Sequence, residues 1–179
     1  MAAEALKRQV ENKHNIQLAK EDASWAPAEL KKLDRTLSKL PDSLVKFNPK
    51  LKAFVRAHKQ ASPPGAPGDA KRTGSKITIY DQGAKGDMLP ESVIHEIAHT
   101  VEHSNPVFWR RWLAASGWER SGGKWGHSKN PGFVYEYSKT DPREDFATAL
   151  TSAILRPLTL KKISPIKSEM MAGFLETLG

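Results

Sequence analysis

The chain of 179 residues contains no cysteine. A disulfide framework, a thiolate nucleophile and a cysteine-ligated zinc or iron–sulfur site are therefore excluded. The sequence also lacks a run of roughly 18 apolar residues, so we expect no membrane-spanning helix. The N-terminal stretch MAAEALKRQVENK soon turns polar and has no apolar h-region, so we expect no secretory signal. The localisation stays unknown at this point: the protein is expected either in the cytoplasm or exported by a dedicated delivery system.

Basic side chains are concentrated in the first third of the chain. The whole sequence has 28 Lys and Arg against 20 Asp and Glu, a net charge of +8. Residues 1–60 hold 13 of the basic and 7 of the acidic side chains, a net charge of +6. A basic segment of this kind suits nucleic acid, an anionic membrane surface or an acidic partner. Because the lysines are scattered rather than grouped, we favour a solvated helical face over a binding patch.

Hydrophobic spacing and turn residues predict a chain of helices interrupted by a few short strands. Residues 2–20 are predicted to form a polar helix. Ser24 is predicted to cap a second helix that has Pro27 in its first turn. This helix carries a leucine stripe that Pro41 ends. The remaining predicted elements are a strand over 51–58, a Pro- and Gly-rich loop over 61–75, a strand over 76–81, a helix over 90–103, a helix from about 106, a hairpin and loop over 117–137, a helix opened by Asp141 and Pro142, and a helix over 165–178.

The most informative string is His95-Glu96-Ile97-Ala98-His99. On a helix, positions i and i+4 differ by roughly 40° of rotation and one turn of rise, so both imidazoles project from one face. Zinc takes histidine nitrogens at roughly 2.0–2.1 Å, and two such side chains can share one ion. Glu96 is turned to the side, where it reaches a metal-bound water rather than the metal. This is the HExxH pattern of zinc peptidases.

A catalytic zinc usually has three protein ligands and one open position, so a third ligand must come from elsewhere in the chain. We favour Glu144, because a carboxylate in the first turn of a predicted helix is well held. Its neighbour Asp145 is an alternative, although we expect it to orient a histidine ligand or to cap the helix. Glu119 and His127 also stay open as the third ligand. His103 is interpreted as a surface residue or as a residue that supports the metal ligands, since three imidazoles stacked on one straight helix cannot all reach one ion.

The strings HEIAH and YSKTDPREDFATAL resemble the lethal-factor-like zinc peptidases, a gluzincin-type group that includes the Pro-Pro endopeptidases. In that group a tyrosine precedes the ligand glutamate by seven residues, and the glutamate opens an E-x-F-A-E helix. Here Tyr137 precedes Glu144 by seven residues, and Phe146 and Ala147 match the pattern. Thr148 stands where the family usually has a second glutamate.

The resemblance implies an α+β fold: a zincin-like metallopeptidase domain with a small mixed sheet, an HExxH active-site helix and N- and C-terminal helices. The catalytic domain is expected over residues 25–179, after a basic N-terminal helix over 1–24. In zincins an edge strand above the active-site helix pairs with the extended substrate. Residues 76–81, KITIYD, are therefore interpreted either as that edge strand or as a core strand.

The resemblance also implies the roles of the site residues. Zn²⁺ is expected on His95, His99 and Glu144. Glu96 is expected to act as general base on the metal-activated water. Tyr137 is expected to stabilise the oxyanion of the tetrahedral intermediate through its phenol hydroxyl. Tyr135, two residues earlier on the same face of a predicted strand, is the fallback for this role.

The function predicted on these grounds is a zinc-dependent endopeptidase acting on a protein or peptide substrate. The family resemblance suggests a toxin or effector domain delivered by a dedicated system, with an inhibitor or immunity protein as a further partner. The alternative is a basic nucleic-acid-associated protein that carries a zinc protease or a structural metal site. The absence of a groove-reading motif and of RNP-like aromatics counts against nucleic acid as a partner.

Overall fold

The computed structural model describes residues 2–58, 70–127 and 132–179. Within these ranges no helix is long and apolar enough to cross a bilayer. The chain divides into two compact units, Met1–Thr100 and Val101–Gly179, and each is described by itself. The elements in chain order are α1 (Ala2–His14), β1 (Gln17–Lys20), α2 (Pro27–Leu37), a 3-10 helix (Asp42–Leu44), β2 (Ala53–Arg56), β3 (Ala70–Thr73), β4 (Lys76–Ile79), α3 (Asp81–Ala84), α4 (Met88–Val101), α5 (Pro106–Ala115), β5 (Trp118–Ser121), β6 (Lys124–His127), a second 3-10 helix (Glu136–Lys139), α6 (Pro142–Leu155), α7 (Pro157–Ile163) and α8 (Pro165–Thr177).

The predicted helix over residues 2–20 is shorter than expected, because α1 ends at His14. Asn15 has a φ of 53°, a left-handed conformation that helices often adopt just beyond their last residue. After it, Ile16 and Leu18 are buried at 5% and 2% exposure, and this period of two belongs to a strand. Residues 1–24 thus supply both α1 and β1, while the expected domain division at residue 24 stays a prediction.

The N-cap of the second helix lies two residues later than predicted. Ala26, not Ser24, occupies the N-cap position, and Pro27, expected within the first turn, is the first residue of the helix. The side chain of Glu29 supplies the reciprocal bond of a capping box, since its Oε2 accepts a 2.9 Å hydrogen bond from the backbone N–H of Ala26. The predicted leucine stripe is confirmed as core: Leu30, Leu33 and Leu37 are each at most 1% exposed.

The sheet of the first unit has four strands in the order β1-β2-β4-β3. β1, β2 and β4 run parallel, and β3 pairs antiparallel with β4. β4 therefore lies inside the sheet, and the interpretation of residues 76–81 as an edge strand is wrong. Ile77 and Ile79 are fully buried, as a core strand requires.

β3 corrects a second expectation, because its residues fall in the predicted Pro- and Gly-rich loop over 61–75. Residues 70–73 are Ala-Lys-Arg-Thr, a largely polar sequence that lacks the alternation of apolar residues by which a strand is predicted. Pairing with β4 and the tight turn at Gly74, with a φ of 60°, form the strand instead. The earlier part of the predicted loop, residues 61–69, lies outside the described residues.

α4 begins at Met88, two residues before the predicted start, and ends at Val101. A continuous apolar face holds it in the first unit. The side chains of this face are Leu89, Val93, Ile94, Ile97 and Ala98, all at 0% exposure.

A polar contact fixes the end of α4 as well. The buried Asn48 donates from Nδ2 to Thr100 Oγ1 at 2.7 Å and to the Leu44 carbonyl at 2.9 Å. Both the rotation and the axial position of α4 are therefore specified.

The second unit contains the helices predicted from about residue 106, after Asp141 and over 165–178. Asn105 Oδ1 accepts from the backbone N–H of Val107 and Phe108, which starts α5. Asp141 Oδ1 accepts from Arg143 N at 2.8 Å, which starts α6. β5 and β6 form the predicted hairpin, and residues 128–131 of the predicted loop lie outside the described residues. α7 was not expected, because it is short and only Leu160 in it is buried, so its sequence carries no periodic signal.

One cluster of charges connects α1 to α2. Asp34 Oδ1 accepts from Lys13 Nζ and lies against His14 Nε2, both at 2.8 Å. Burial alone raises the pKa of the Asp34 carboxyl, but the hydrogen bonds and charges of Lys13 and His14 outweigh it and leave the pKa below its usual value. Asp34 therefore favours the folded state when it is ionised.

We predict that Asp34→Asn lowers the free energy of unfolding by about 1–2 kcal/mol at neutral pH. Because the folded-state pKa is lowered, the stabilisation is complete above the unfolded pKa of about 3.9 and is lost as the pH falls through the folded value. The difference between wild type and variant in urea unfolding should therefore shrink at about pH 3. Asp42→Asn, in an exposed pair with Lys46, is the control and should change little. A pH-independent difference would contradict this account.

Candidate metal centre

The two histidines of the HEIAH string lie side by side on α4. The Nε2 atoms of His95 and His99 are 3.2 Å apart, and their ring planes are nearly perpendicular at 83°. Two nitrogens at 2.0–2.1 Å from one tetrahedral ion are about 3.3 Å apart. The spacing of the pair therefore fits two ligands of a single zinc ion.

The surroundings of the pair match those expected from the sequence. His95, Glu96 and His99 are half-buried, whereas Ile94 and Ile97 are fully buried. Glu96 is turned about 100° from His95 around the helix axis, because it is the next residue. The helix thus presents a small polar surface on an otherwise apolar element, which keeps a metal site partly shielded from water.

Glu144 lies in the first turn of α6 and is half-buried. Asp141 caps this turn, so its backbone is fixed at its start. Thr148, which replaces the second glutamate of the family pattern, donates from Oγ1 to the carbonyl of Glu144 at 2.6 Å. The threonine thus bonds to the backbone of the helix, and no second carboxylate is present at this position.

The described residues include one group with the composition of a metal site. It takes one ligand atom each from His95, His99 and Glu144, and these atoms all lie within 4.8 Å of one another. Two imidazole nitrogens and a carboxylate oxygen are the donor set of a typical catalytic zinc site with three protein ligands. The residues present therefore fit zinc, and no ligand has to be recruited from outside the group.

The alternative third ligands have other surroundings. His103 is exposed and its ring lies 4.7 Å from that of Trp109, centroid to centroid. His127 is exposed and contacts the ring of Phe133. Glu119 is an exposed residue of β5. The group of three does not include them.

Asp145 has a role that the sequence analysis did not anticipate. It does not cap α6, since Asp141 occupies the cap. Its Oδ1 accepts from Lys167 Nζ at 2.6 Å, and its Oδ2 accepts from Trp118 Nε1 at 3.0 Å. Burial raises the pKa of the Asp145 carboxyl and lowers the pKa of the Lys167 ammonium, while their mutual attraction opposes both shifts.

Lys167 itself was missed, although the sequence contains a signal for it. Lys167, Met171 and Phe174 follow at spacings of four and three, which places all three on one face of α8. Met171 and Phe174 are buried, so a lysine in the same stripe is buried with them. A charged residue at an apolar position indicates a buried partner of opposite charge.

The two tyrosines do not lie on a strand as predicted. Tyr135 precedes the 3-10 helix Glu136–Lys139, and Tyr137 lies within it. The Thr140 side chain folds back on this turn by donating to the Tyr137 carbonyl at 2.7 Å, a local bond that competes with strand pairing. The Tyr135 hydroxyl accepts from Arg156 Nη2. Both rings are about half-exposed, at 46% and 44%.

Comparison with known proteins gives a fold but no family. No family model matches the chain, and no curated protein does. A crystal structure of a protein from Bacteroides caccae ATCC 43185, described provisionally as a zinc-binding metallopeptidase, is similar with a TM-score of 0.55. The match covers 99% of this chain and 84% of that chain at 14% sequence identity. At this identity the likeness shows the fold alone: this chain shares an α+β fold with that protein.

We predict that the purified protein binds about one zinc per chain and that His99→Ala weakens zinc binding by at least about 100-fold. Changes beyond the ligands themselves already cost about 10–100-fold in metal affinity, and loss of a ligand should cost no less. Competition with a chromophoric chelator measures the affinity. His103→Ala, one turn along the same stretch, is the matched control and should bind zinc as wild type does. Full zinc content in the His99 variant would exclude this site.

Proposed function

We propose that the chain is a zinc-dependent endopeptidase whose metal is held by His95, His99 and Glu144. The observation that carries the proposal is the convergence of their three ligand atoms within 4.8 Å, with Glu96 next to His95 on α4. The metallopeptidase-like fold supports it. A structural metal would not need a carboxylate beside the histidine pair, whereas peptide hydrolysis does.

When bound, zinc would supply a Lewis acid that polarises a carbonyl and lowers the pKa of water toward about 7. The Glu96 carboxylate is then the general base: it accepts a proton from the attacking water and later donates it to the leaving amine. Its half-buried position keeps the carboxylate accessible to water while limiting the number of solvent molecules around it.

Tyr137 is proposed to donate a hydrogen bond from its hydroxyl to the oxyanion that forms when the peptide carbonyl becomes tetrahedral. Its position seven residues before Glu144 and its half-exposed ring support this role. Tyr135 stays the fallback for this role; its hydroxyl accepts from Arg156, and its ring lies 5.7 Å from the guanidinium.

The finer identity rests on the sequence. The Tyr-x6-Glu-x-Phe-Ala string supports a lethal-factor-like subtype, and we propose it on that ground. A toxin or effector role, a delivery system and an immunity partner stay predictions from the same resemblance. The alternative of a nucleic-acid-associated protein rests on the net charge of +6 in residues 1–60 and also stays a prediction. A salt-dependent mobility shift that maps to this segment would support the alternative.

We predict that Glu96→Gln keeps zinc and loses peptide hydrolysis by a factor of about 10²–10⁴, because an amide cannot accept the proton of the water. A peptide library treated with each protein, followed by mass spectrometry, gives both the rate and the cleavage preference. Glu91→Gln, on the same helix in its first turn, is the control and should cleave as wild type does. Cleavage by the Glu96 variant at the wild-type rate would contradict the assignment.

We predict that Tyr137→Phe lowers kcat by about 10²-fold or more with little change in KM, since the lost hydrogen bond exists only when the oxyanion forms. Tyr135→Phe is the matched control, and its kcat should change much less. Steady-state kinetics on the best library peptide measure both. A larger loss at residue 135 than at residue 137 would reverse the assignment of the two tyrosines.

A further inference from the structure

Lys167 is a fully buried lysine whose ammonium has two hydrogen-bond acceptors and two aromatic rings around it. Its Nζ donates to Asp145 Oδ1 at 2.6 Å and to the carbonyl of Gly132 at 2.8 Å. It also lies 4.1 Å from the ring centroid of Phe133 and 5.6 Å from that of Trp112. The exposed fraction of the lysine side chain is 0%, and that of Asp145 is 1%. Both charges are thus removed from water and neutralised by each other.

Stability alone is a poor reason for such a pair. Removing two charges from water costs several kcal/mol each, and apolar residues of similar volume often replace buried ion pairs at no loss of stability. An ion pair with short hydrogen bonds fixes the relative orientation of its two side chains, because hydrogen bonds are directional. Apolar side chains in contact do not impose such an orientation. The position of the pair therefore shows which part of the second unit it specifies.

The pair specifies the first turn of α6. Asp145 lies in that turn, and its partners are Lys167 of α8 and Trp118 of β5. Lys167 is held in turn by the carbonyl of Gly132. Successive residues of a helix differ by 100° of rotation. A rotation of α6 that removed Asp145 from its contacts would therefore turn the side chain of Glu144 through the same angle.

Gly132 is part of this arrangement because of its backbone. Its φ is +85°, and a Cβ at this position would clash with the backbone carbonyl of Ile163. The chain passes so close to the end of α7 that only glycine fits. The carbonyl that accepts from Lys167 is therefore as firmly placed as the carboxylate.

We propose that Asp145 and Lys167 are positioning residues that hold Glu144 in the orientation required for metal binding. This inference rests on the proposed function, in which Glu144 is a metal ligand. A positioning role differs from a purely structural role in one respect: loss of the pair should weaken zinc binding even where the fold keeps its stability.

The test is the zinc affinity of the double variant Asp145→Asn with Lys167→Met, measured by chelator competition alongside the thermal midpoint of the metal-free protein. The asparagine keeps an acceptor for Trp118, and the methionine keeps most of the buried volume of the lysine. We expect a thermal midpoint near that of wild type and a zinc affinity lower by about tenfold. Met171→Ala, one turn further along the same buried face of α8, is the control; it should lower the midpoint and leave zinc affinity unchanged.

Each outcome decides the question. Unchanged zinc affinity in the double variant overturns the inference and leaves the proposed function intact. An equal loss of affinity in the Met171 variant also overturns it, because general destabilisation would then explain the effect. Wild-type protein that binds no zinc overturns the proposed function together with the inference. If the double variant does not fold, Trp118→Phe removes the donor to Asp145 Oδ2 while keeping an aromatic ring, and it is expected to lower zinc affinity in the same way.

Discussion

The burial of one face of α4 is the constraint on which the candidate metal centre depends. Leu89, Val93 and Ile97 on that face are fully buried. Burial of each such side chain stabilises the fold by about 1.5–3 kcal/mol, so a rotation that exposed two of them would cost about 3–6 kcal/mol. That is a large share of the roughly 5–15 kcal/mol that hold a typical domain together. The imidazoles of the HEIAH string are therefore placed by the apolar residues between and around them.

Apolar packing also holds α6 in place, through different side chains. Phe146 and Leu150 are fully buried, and Phe146 packs edge to face against Trp112 at 5.7 Å between ring centroids. These contacts keep the helix on the core, although apolar burial is non-directional in itself. The polar contacts of Asp141 and Asp145 add the missing direction. Apolar packing and a few buried polar bonds thus together position the carboxylate of Glu144.

The strongly patterned elements could be predicted from the sequence. Apolar spacing, together with proline and aspartate near the helix starts, predicts α4 and α6. The alternation of β-branched residues predicts β4. The three residues of the candidate site could be chosen as well, because their chemistry fits a short list of metal ligands and they lie on these elements.

Other features could not be predicted, for two physical reasons. β3 and α7 have too few buried residues to produce a period, so only their neighbours specify them. The place of β4 inside the sheet depends on pairing with β2 and β3, and strand order is a property of the whole unit rather than of six residues. The turn that contains Tyr137 is stabilised by the hydrogen bond from the Thr140 hydroxyl to the Tyr137 carbonyl. The alternating sequence pattern of this segment gives no sign of that bond.

Gly132 carries a consequence for how this protein can vary. The residue is only half-buried and belongs to an irregular stretch, where evolution usually exchanges amino acids freely. Its identity is nevertheless dictated by the last residue of α7, far along the chain, whose carbonyl leaves no space for even a methyl group. A position that looks permissive by its surroundings is thus as intolerant of mutation as the hydrophobic interior.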